Sequence, residues 1–548
     1  MIISDKILKG NLKIRKEVER EMNYPEFEHT VIKPFENFPI IDFSNLEDEK
    51  KMREALKKVG SELGREYPIV IGGKEVHTEK KIVSINPAKY EEVVGVVSKG
   101  TKELADKALE VAWKTFEEWK KWPAWKRAEI LLKASKIMKE KAYELSAWMV
   151  KEVGKNWVEA WADVAETIDY LEYYSRQMLK YMNGQPVVQI PGEKNEYRYI
   201  PLGVGVVIPP WNFPLAILGG MTLASIVTGN TVILKPASDS PVIGYKFFEI
   251  MKEAGLPDGV INFLPGSGAE VGNYLVSHPK VRFIAFTGSK DVGLRINELA
   301  AKHQKGQIWI KRVILEMGGK DAVVVDETAD LEAAAEGIVV SAYGFQGQKC
   351  SAGSRAIIVK DVYDKVVELV VEKAKEIKMG DPTEKENWFG PVVNNAAVQK
   401  IMGYIEIGKK EGKLAVGGRY LGEQMKGFFI EPTVFVDVPP DARIAQEEIF
   451  GPVLAIIKAE DFDDALRIAN STEYGLTGAL YSKVRDRIER AKEEFHVGNL
   501  YFNRKCTGAL VGVQPFGGFN MSGTDSKAGG PDYLLLFMQG KSISERII

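Results

Sequence analysis

The stretch GVGVVIPPWNFPLAILGGMTLASIVTGNTVILKPAS, residues 203–238, contains no charged residue before Lys235. Its length would suffice for a membrane-spanning helix of about 20 residues. Pro209, Pro210 and Pro214 interrupt it, however, and the proline-free apolar run at residues 215–227 is too short to span a bilayer. The pattern therefore predicts a buried strand, a turn, a buried helix and a second buried strand.

The same alternation continues along the chain. Short apolar runs at 205–208, 231–234, 261–264 and 282–286 each precede a helical stretch. Such continuous runs are typical of parallel strands that are buried on both faces of a doubly wound sheet. The segments that leave these strands read PPWN, KPAS, PGSG and TGS. Ligands of open α/β sheets bind at this edge, so the pattern predicts a ligand site there.

A second α/β set follows Gly318 and Gly319. It comprises a strand at 322–325, a helix at 331–341 and a strand at 355–359, which places Cys350 in a helix-to-strand turn. Nearer the start, the spacing of Ser44 and Glu47 predicts a capped amphipathic helix, and a second helix is expected from Thr101. Residues 67–97 between them have the composition of hairpins.

Bulk composition favours a folded enzyme of small-molecule metabolism. A length of 548 residues implies a few domains, and 74 basic against 76 acidic residues give a net charge of -2. Such a balance provides no field that would attract nucleic acid or anionic lipid. Two cysteines cannot form a disulfide framework, and the first 24 residues lack the pattern of a signal or transit peptide. These features predict a cytoplasmic protein.

The loop FQGQKCSAGSR, residues 345–355, raises the question of a nucleophile. A lone cysteine is most often a small buried apolar residue. Here polar neighbours surround Cys350, and adjacent Lys349 is expected to lower the pKa of its thiol. Cys506 has no second indication of function. A thiol protease would need an imidazole partner, and none of the five histidines lies in a recognisable motif, although spatial pairing stays open.

Two further residues are candidates for catalysis. Glu316, in LEMGGK, is an isolated carboxylate followed by two glycines, which are expected to form a mobile hinge around a general base. Asn212, in PPWNFP, is fixed by flanking prolines and is a candidate amide donor to an oxyanion.

Glycines at the strand ends indicate a phosphate-binding edge. Gly288 and Gly293 follow a predicted strand and open a helix, where free amides favour an anion such as a pyrophosphate. The spacing fits neither a Walker A loop nor GxGxxG, and a single glycine cluster is more often a turn. Four such loops on one sheet edge favour a cofactor site, with Lys235 in reach of a ribose or phosphate.

Seven motifs occur in order over nearly the whole chain from about Phe35: PWNFP, GNTVILKPAS, FTGS, LEMGGK, GQKCSAGSR, EEIFGP and PFGG. Together they resemble the aldehyde dehydrogenase superfamily. More narrowly, EVGKNW (152–157), AYGFQGQKCSAGSR (342–355), FHVGNLYFNRK (495–505) and TGALVGVQPFGG (507–518) are similar to its L-glutamate γ-semialdehyde dehydrogenases.

The resemblance implies an α/β fold with two doubly wound parallel-sheet domains, one for the cofactor and one for catalysis, and a small β arm for oligomerisation. The implied division is an N-terminal extension at 1–34, a dinucleotide-binding domain at 35–174 and 198–318, a catalytic domain at 319–525, and an arm at 175–197 and 526–548. A homo-oligomer of two or more subunits is expected, acting on a small-molecule aldehyde without a metal, nucleic acid or membrane.

The implied activity is NAD-dependent oxidation of L-glutamate γ-semialdehyde to L-glutamate, the last step of proline catabolism. Cys350 would attack the aldehyde, Asn212 would hold the oxyanion, and Glu316 would activate water to hydrolyse the thioester. Three alternatives remain open at this stage. They are an aldehyde dehydrogenase for another semialdehyde, a relative that transfers the acyl group to coenzyme A, and a non-catalytic dinucleotide-binding protein of the same fold.

Family analogy also implies the residues that bind the ligands. The expected cofactor-binding residues are Ile208, Pro209, Trp211, Lys235, Ser238, Gly268, Gly272, Phe286, Gly288, Ser289, Val292, Glu448 and Phe450. The expected substrate-binding residues are Phe213, Ser351, Gly508, Ala509 and Phe516. The resemblance favours NAD. Many relatives have glutamate where this chain has Ser238, and serine removes a charge that would repel a 2′-phosphate, so NADP stays possible.

Overall fold

The computed structural model describes residues 33–547. The implied N-terminal extension at 1–34 lies outside them except for its last two residues. Two seven-stranded sheets form the centres of two lobes, which we call the first and second lobes. Within residues 33–547, no helix combines the length and apolarity that crossing a bilayer requires.

The first lobe contains the strands and helices up to residue 316. Its strands are β1 (Arg65–Tyr67), β2 (Ile69–Ile71), β3 (Lys74–Val76), β4 (Lys81–Asn86), β5 (Lys89–Ser98), β6 (Glu193–Pro201), β7 (Val204–Ile208), β8 (Thr231–Leu234), β9 (Ile261–Phe263), β10 (Phe283–Thr287) and β11 (Arg312–Glu316). Its helices are α1 (Leu46–Gly60), α2 (Lys102–Trp119), α3 (Ala124–Glu140), α4 (Ala142–Val153), α5 (Trp157–Tyr181), α6 (Ala216–Val227), α7 (Pro241–Glu253), α8 (Asn273–Ser277) and α9 (Lys290–Ala301).

The sheet of the first lobe has the order β11-β10-β7-β8-β9-β2-β3. Strands β7 to β11 pair in parallel, whereas β2 and β3 extend one edge in antiparallel fashion. β7, β8, β9 and β10 are buried along their whole length, as continuous apolar runs require when helices cover both faces. The predicted doubly wound sheet is confirmed.

The second lobe repeats this architecture. Its strands are β12 (Ala322–Val325), β13 (Arg355–Val359), β14 (Lys413–Val416), β15 (Thr433–Val436), β16 (Val453–Ala459), β17 (Tyr474–Gly475), β18 (Thr477–Tyr481), β19 (Asn499–Phe502) and β20 (Phe519–Asn520). Its helices are α10 (Leu331–Tyr343), α11 (Tyr363–Lys375), α12 (Asn395–Glu411), α13 (Gly422–Met425), α14 (Arg443–Gln446), α15 (Phe462–Ala469) and α16 (Arg485–Glu494). The sheet order is β14-β15-β16-β13-β12-β18-β19, with β14 antiparallel.

A two-stranded sheet lies apart from both large sheets. It joins β6 to the last strand, β21 (Met538–Arg546), in a nine-residue antiparallel register. The implied arm boundaries differ from these elements, because α5 continues as a buried helix past residue 175. Likewise, Tyr533–Phe537 forms a 3₁₀ turn in the core of the first lobe. Whether the strand pair mediates oligomerisation stays a prediction.

The cap of the first helix is a local correction. Asn45, not Ser44, is the N-cap of α1, and its side chain accepts a hydrogen bond of 2.8 Å from the Glu47 amide. The Ser44 amide instead donates to Asp42. Serine and asparagine are both favoured N-cap residues. Sequence spacing alone therefore does not show which of two neighbouring residues forms the cap. The helix expected from Thr101 is present as α2, which begins at Lys102 with Thr101 as its N-cap.

Candidate active site

Cys350 lies on the turn between α10 and β13, as the sequence predicts. A 3₁₀ turn, Gly344–Gly347, leads into it, and within this turn Phe345 and Gln346 adopt left-handed backbone angles of 49° and 57° in φ. Non-glycine residues hold such angles only where surrounding structure imposes them. Phe345 packs in the core of the first lobe, and Gln348 accepts a hydrogen bond from Val393 of the second lobe, so contacts from both lobes fix the turn.

Most of the polar residues that surround Cys350 in the sequence are buried. Gln346 and Gln348 are completely buried. Gln348 Oε1 accepts a 2.9 Å hydrogen bond from the Val393 amide, and the Gln348 carbonyl accepts one of 3.0 Å from Asn212 Nδ2. Gln348 therefore ties the nucleophile loop to neighbouring backbone. The Gln346 side chain is equally buried, but neither of its polar atoms has a hydrogen-bond partner among residues 33–547.

The thiol of Cys350 is partly buried, and its environment raises its pKa well above the usual value. Burial is the largest cause, followed by the nearby carboxyl groups of Asp321, Glu448 and Glu316. The predicted lowering of this pKa by Lys349 is wrong. Lys349 Nζ lies 2.6 Å from Glu159 Oε1, so its charge is used in an ion pair.

Asn212 lies directly beside the nucleophile loop. It follows β7, is buried, and donates one amide hydrogen to the Gln348 carbonyl, two residues before Cys350. A carboxamide nitrogen has two hydrogens, and the second is left to meet an oxyanion on a carbon attached to the sulfur. The structure thus brings together two residues that are 138 positions apart in the chain.

Glu316 is the last residue of β11, with 9% of its surface exposed. Its Oε1 accepts a hydrogen bond from the Ser526 hydroxyl, and its Oε2 accepts one of 3.4 Å from the Gly518 amide. Burial raises the pKa of the Glu316 carboxyl to about 8, while these two donors act in the opposite direction. A carboxyl group whose pKa lies near neutral pH is suited to accept a proton from water.

The two glycines after Glu316 allow neighbouring groups to approach closely, and the mobile hinge expected here stays a prediction. A β-carbon on Gly318 would lie 2.5 Å from Glu448 Oε2, and one on Gly319 would lie 2.3 Å from the Cys350 carbonyl oxygen. The Gly319 amide also donates a 3.0 Å hydrogen bond to Glu448 Oε1. Only glycine leaves room for the nucleophile loop and the Glu448 carboxylate at this place.

The expected substrate residues lie on four separate segments of the chain. Phe213 directly follows Asn212, and the ammonium of buried Lys155 lies 3.9 Å from its ring centroid. Phe516 is held in a two-hydrogen-bond bridge to Ala528. Ser351 is buried, and Gly508 has a φ of 79° in an exposed turn. Gly508 and Ala509 lie on the segment after Cys506, which packs beneath the nucleophile loop.

Most of the expected cofactor residues follow the carboxyl ends of β7, β8, β9 and β10, whereas Glu448 and Phe450 belong to the second lobe. Lys235 is buried, with its ammonium 3.1 Å from the Gly266 carbonyl, and burial lowers its pKa to about 8. Ser289 is the N-cap of α9, but its side chain accepts no capping hydrogen bond, which leaves the first amides of this helix available. Gly268 borders open space, and Gly272 lies against the Lys235 side chain.

The remaining cofactor candidates differ in exposure. Ser238 and Val292 are exposed, while Ile208 and Phe286 are buried, and the Phe286 ring lies over Gly288, where a β-carbon would come within 2.5 Å of it. Pro209 is buried at the end of β7. The Trp211 and Phe450 rings meet edge to face at 5.6 Å, which joins the two lobes above this edge.

Sequence reasoning missed several residues that build the site. Lys155 and Asp163 form a completely buried ion pair of 3.0 Å, and Asp163 Oδ1 accepts a 2.6 Å hydrogen bond from the Ala216 amide at the start of α6. This pair fixes the segment that carries Asn212 and Phe213. Ser526 contacts Glu316 from 210 positions later in the chain, and a lone serine in a loop carries no local pattern that would reveal it.

Comparison with known proteins agrees with this arrangement. The sequence profile described as "Aldehyde dehydrogenase family" matches residues 75–543. A protein of Geobacillus sp. (strain WCH70) named 1-pyrroline-5-carboxylate dehydrogenase is 63% identical over 515 residues, which covers 94% of this chain and 100% of the relative.

Solved structures show the same architecture. A Thermus 1-pyrroline-5-carboxylate dehydrogenase with bound NAD has a TM-score of 0.93 at 56% identity, covering 94% of this chain and 100% of that one. Proline utilization A from Bdellovibrio bacteriovorus has a TM-score of 0.91 at 46% identity, covering 94% of this chain and 54% of that longer one.

Proposed function

Because the chain belongs to the aldehyde dehydrogenase family, we propose that it oxidises L-glutamate γ-semialdehyde, formed from 1-pyrroline-5-carboxylate, to L-glutamate. NAD is the hydride acceptor, and the reaction is the last step of proline catabolism. One observation carries the proposal: three separate parts of the chain bring together Cys350, Asn212 and Glu316. Relatives of at least 60% identity that bear the name of this activity support it.

The first half of the reaction belongs to Cys350 and Asn212. The thiolate adds to the aldehyde carbon, and the carbonyl oxygen becomes an oxyanion held by the Asn212 amide and by backbone amides of the nucleophile loop. The buried position of the Asn212 side chain removes competing water, which strengthens this hydrogen bond. Because burial and nearby carboxyl groups raise the pKa of Cys350, the thiol must lose its proton to solvent before the sulfur adds to the aldehyde carbon.

The second half belongs to Glu316. Loss of a hydride from the thiohemiacetal carbon leaves a thioester on Cys350. Glu316 accepts a proton from water as the water oxygen bonds to the thioester carbon. The carbon–sulfur bond then breaks, the sulfur leaves as thiolate, and the product carboxylic acid loses its proton to solvent.

The residues at the strand ends fit a dinucleotide. Lys235 supplies a cation, the free amides at the start of α9 supply anion donors, and Gly268 leaves room for a phosphate to approach. Glu448 and Phe450 would hold the nicotinamide ribose, where the bound cofactor supplies a hydride acceptor. Exposed Ser238 places no charge opposite an adenosine 2′-phosphate, so NADP use at reduced efficiency is compatible with the site.

Substrate preference follows from the groups around Cys350. We assign the substrate's α-carboxylate to Ser351 and to the backbone amides of Gly508 and Ala509, and its aliphatic chain to the space between Phe213 and Phe516. A buried carboxylate requires several donors, because an unsatisfied charge is expensive to remove from water. The same arrangement disfavours acetaldehyde, because acetaldehyde has no carboxylate to accept hydrogen bonds from these donors.

Two alternative functions are acyl transfer to coenzyme A and a purely structural role. In the first, the thioester would react with coenzyme A instead of water, and in the second no reaction would occur. A coenzyme A-acylating relative would be expected to lack a water-activating base, whereas Glu316 lies at the site with its pKa near neutrality. A purely structural dinucleotide-binding protein would have no need for a nucleophile beside an amide donor. The assembled residues therefore favour hydrolysis.

A spectrophotometric assay tests the proposal. NADH formation is measured with glutamate γ-semialdehyde, succinate semialdehyde and acetaldehyde, each with NAD and with NADP, and with and without coenzyme A. We expect the highest kcat/KM for glutamate γ-semialdehyde with NAD, glutamate as product, and no effect of coenzyme A. Cys350→Ala should bind NAD normally and form no NADH. Equal rates with all three aldehydes, or turnover by the alanine variant, would refute the assignment.

We further propose that the protein acts as a homo-oligomer in the cytoplasm. The exposed apolar residues that flank the β6–β21 strand pair support the first statement, and the two cysteines, both of which are free thiols, are compatible with the second.

A further inference from the structure

We infer that Ser526 is a positioning residue for the general base, holding the Glu316 carboxylate ionised and oriented for hydrolysis of the thioester. This inference rests on the proposed function, because it assigns Glu316 to the hydrolytic step. Ser526 touches neither substrate nor cofactor in this assignment and acts only through Glu316.

The contact geometry is the first support. The Ser526 hydroxyl donates to Glu316 Oε1 and the Gly518 amide donates to Oε2, so each carboxylate oxygen has one donor. Ser526 is 97% buried by its relative exposure of 3%, so water does not replace its hydroxyl. Among residues 33–547, Ser526 is the one side chain that donates a hydrogen bond to this carboxylate.

The construction of the loop is the second support. Residues 516–528 form a closed loop, because Phe516 and Ala528 exchange two backbone hydrogen bonds of 2.9 and 2.8 Å. Inside it, a β-carbon on Gly517 would collide with the Ser526 carbonyl, so the two sides of the loop approach as closely as glycine permits. Ser526 and Gly518 therefore reach Glu316 from opposite sides of one rigid unit.

Thr524, in the same loop, fixes the position of this loop relative to β11, the strand that ends in Glu316. The Leu315 amide donates to Thr524 Oγ1 at 3.0 Å, and the Thr524 amide donates to the Leu315 carbonyl at 3.0 Å. Thr524 thus holds the backbone of β11, while Ser526 holds the side chain at its end. A variant at Thr524 therefore serves as a matched control for a variant at Ser526, because both residues lie in the same loop.

Few of the ionisable groups around Glu316 favour a negative charge on its carboxyl group. Asp525 and Cys350 both oppose a negative charge on Glu316, and Tyr533 faces it from the 3₁₀ turn. Lys527 favours the charge, but its ammonium donates hydrogen bonds to the carbonyls of Gly498 and Gly517 rather than to the carboxylate. The hydroxyl of Ser526 is accordingly the strongest local contribution that favours the ionised base.

The expected effect follows from proton balance in the hydrolytic step. A protonated Glu316 has no site on which to accept the proton of the attacking water. A hydrogen bond to a charged group is worth enough to change a pKa by about one unit or more. Removing the hydroxyl should therefore raise the pKa that governs hydrolysis and reduce the fraction of active base at neutral pH about tenfold.

The experiment compares Ser526→Ala, Ser526→Thr and Thr524→Val with the unchanged enzyme. Stopped-flow NADH bursts report formation of the thioester, and steady-state rates from pH 6 to 10 report its hydrolysis. We expect S526A to keep its burst, to turn over about tenfold more slowly at pH 7, and to show its rising pH limb about one unit higher. S526T should regain the original profile, since it restores the hydroxyl, and T524V should retain it.

Three outcomes would overturn the inference. They are an unchanged pH profile in S526A, loss of the burst in the same proportion as turnover, and a T524V profile displaced as far as that of S526A. Failure of the proposed function would look different, because the unchanged enzyme would then show no turnover with glutamate γ-semialdehyde, and both assignments would fall together.

Discussion

At the scale of the residue, the chemistry depends on a thiol placed among carboxyl groups. Asp321, Glu448 and Glu316 add to burial in raising the pKa of Cys350, so the thiolate is scarce at neutral pH until a ligand or a proton acceptor intervenes. A resting nucleophile of this kind is protected from adventitious oxidation, because the thiolate is the reactive form.

Alkylation tests this protection. We expect iodoacetamide to modify Cys350 slowly at pH 7 and progressively faster as pH rises through 9, because each unit below a thiol's pKa reduces its thiolate about tenfold. Cys506 is completely buried and should stay unmodified in the folded protein. Mass spectrometry of digested samples at a series of pH values measures both sites. Rapid, pH-independent labelling of Cys350 between pH 6 and 7 would contradict the raised pKa.

Glu316→Gln tests the general base. The amide cannot accept a proton, so we expect the NADH burst to survive while hydrolysis falls at least about 100-fold. In the unchanged enzyme, hydrolysis should rise with pH through about 8, because Glu316 must lose its proton before it can act. Rapid-quench and stopped-flow measurements separate the two steps. Glu298→Gln, an exposed glutamate of α9, provides the control and should leave both steps unaltered.

Residue roles could be predicted from sequence only where a motif marked them. Cys350, Glu316 and Asn212 lie in short stretches whose composition is unusual, and the structure brings them to one place. The environment of each side chain could not be read in the same way. Lys349 was expected to act on the thiol, yet Glu159 on α5 takes its charge, and a partner 190 positions away leaves no trace in the local sequence.

At the scale of the element, the site depends on helix starts that are held by buried carboxylates. Glu152, on α4, accepts hydrogen bonds of 2.8 Å from the amides of Val242 and Ile243 at the start of α7 and one of 2.9 Å from Ser84. It therefore caps a helix to which it does not belong, directly after the Lys235–Ser238 segment of the cofactor edge.

Glu152→Ala should consequently destabilise the first lobe. Three buried donors lose their acceptor, for which we expect a loss of about 2–4 kcal/mol in the free energy of unfolding. We also expect weaker NAD binding, since the start of α7 follows the adenosine side of the site. Urea denaturation and calorimetric titration with NAD measure the two effects. Glu249→Ala removes an exposed ion pair with Lys246 on the same helix and should cost at most about 0.5 kcal/mol.

Elements with strong patterns were predictable, and those defined by tertiary contacts were not. The strands at 231–234, 322–325 and 355–359 have the predicted bounds, because continuous β-branched and apolar runs leave few alternatives. The extent of α5 was not predicted. Its helix runs through a polar and aromatic stretch whose buried tyrosines pack against the 3₁₀ turn Tyr533–Phe537, a contact that exists only in the folded molecule.

At the scale of the whole molecule, exposed apolar side chains flank the strand pair β6–β21. Val188 and Ile190 precede β6 and Ile547 follows β21, and these side chains are 88%, 52% and 65% exposed. We expect this surface to contact another copy of the chain, because exposed apolar groups beside a strand pair favour association.

The double variant Val188→Asp, Ile190→Asp should therefore reduce the oligomer to smaller species, because two charges would be buried without partners in the interface. Light scattering after size-exclusion chromatography gives the mass. Val83→Asp places a similar charge on an exposed strand position elsewhere and should leave the mass unchanged. A double variant with the mass of the unchanged protein would remove this strand pair from the interface.

The anchoring of Glu316 by Ser526 also bears on how the protein is made. During synthesis the chain leaves the ribosome from its N-terminus, and domains fold as they emerge. The nucleophile, its amide partner and the base are all complete by residue 350, but the loop that orients the base is translated more than 160 residues later. A nascent or prematurely terminated chain therefore has the thiol but lacks an oriented base for hydrolysis of the thioester. Full turnover requires translation of the chain through the loop that contains Ser526.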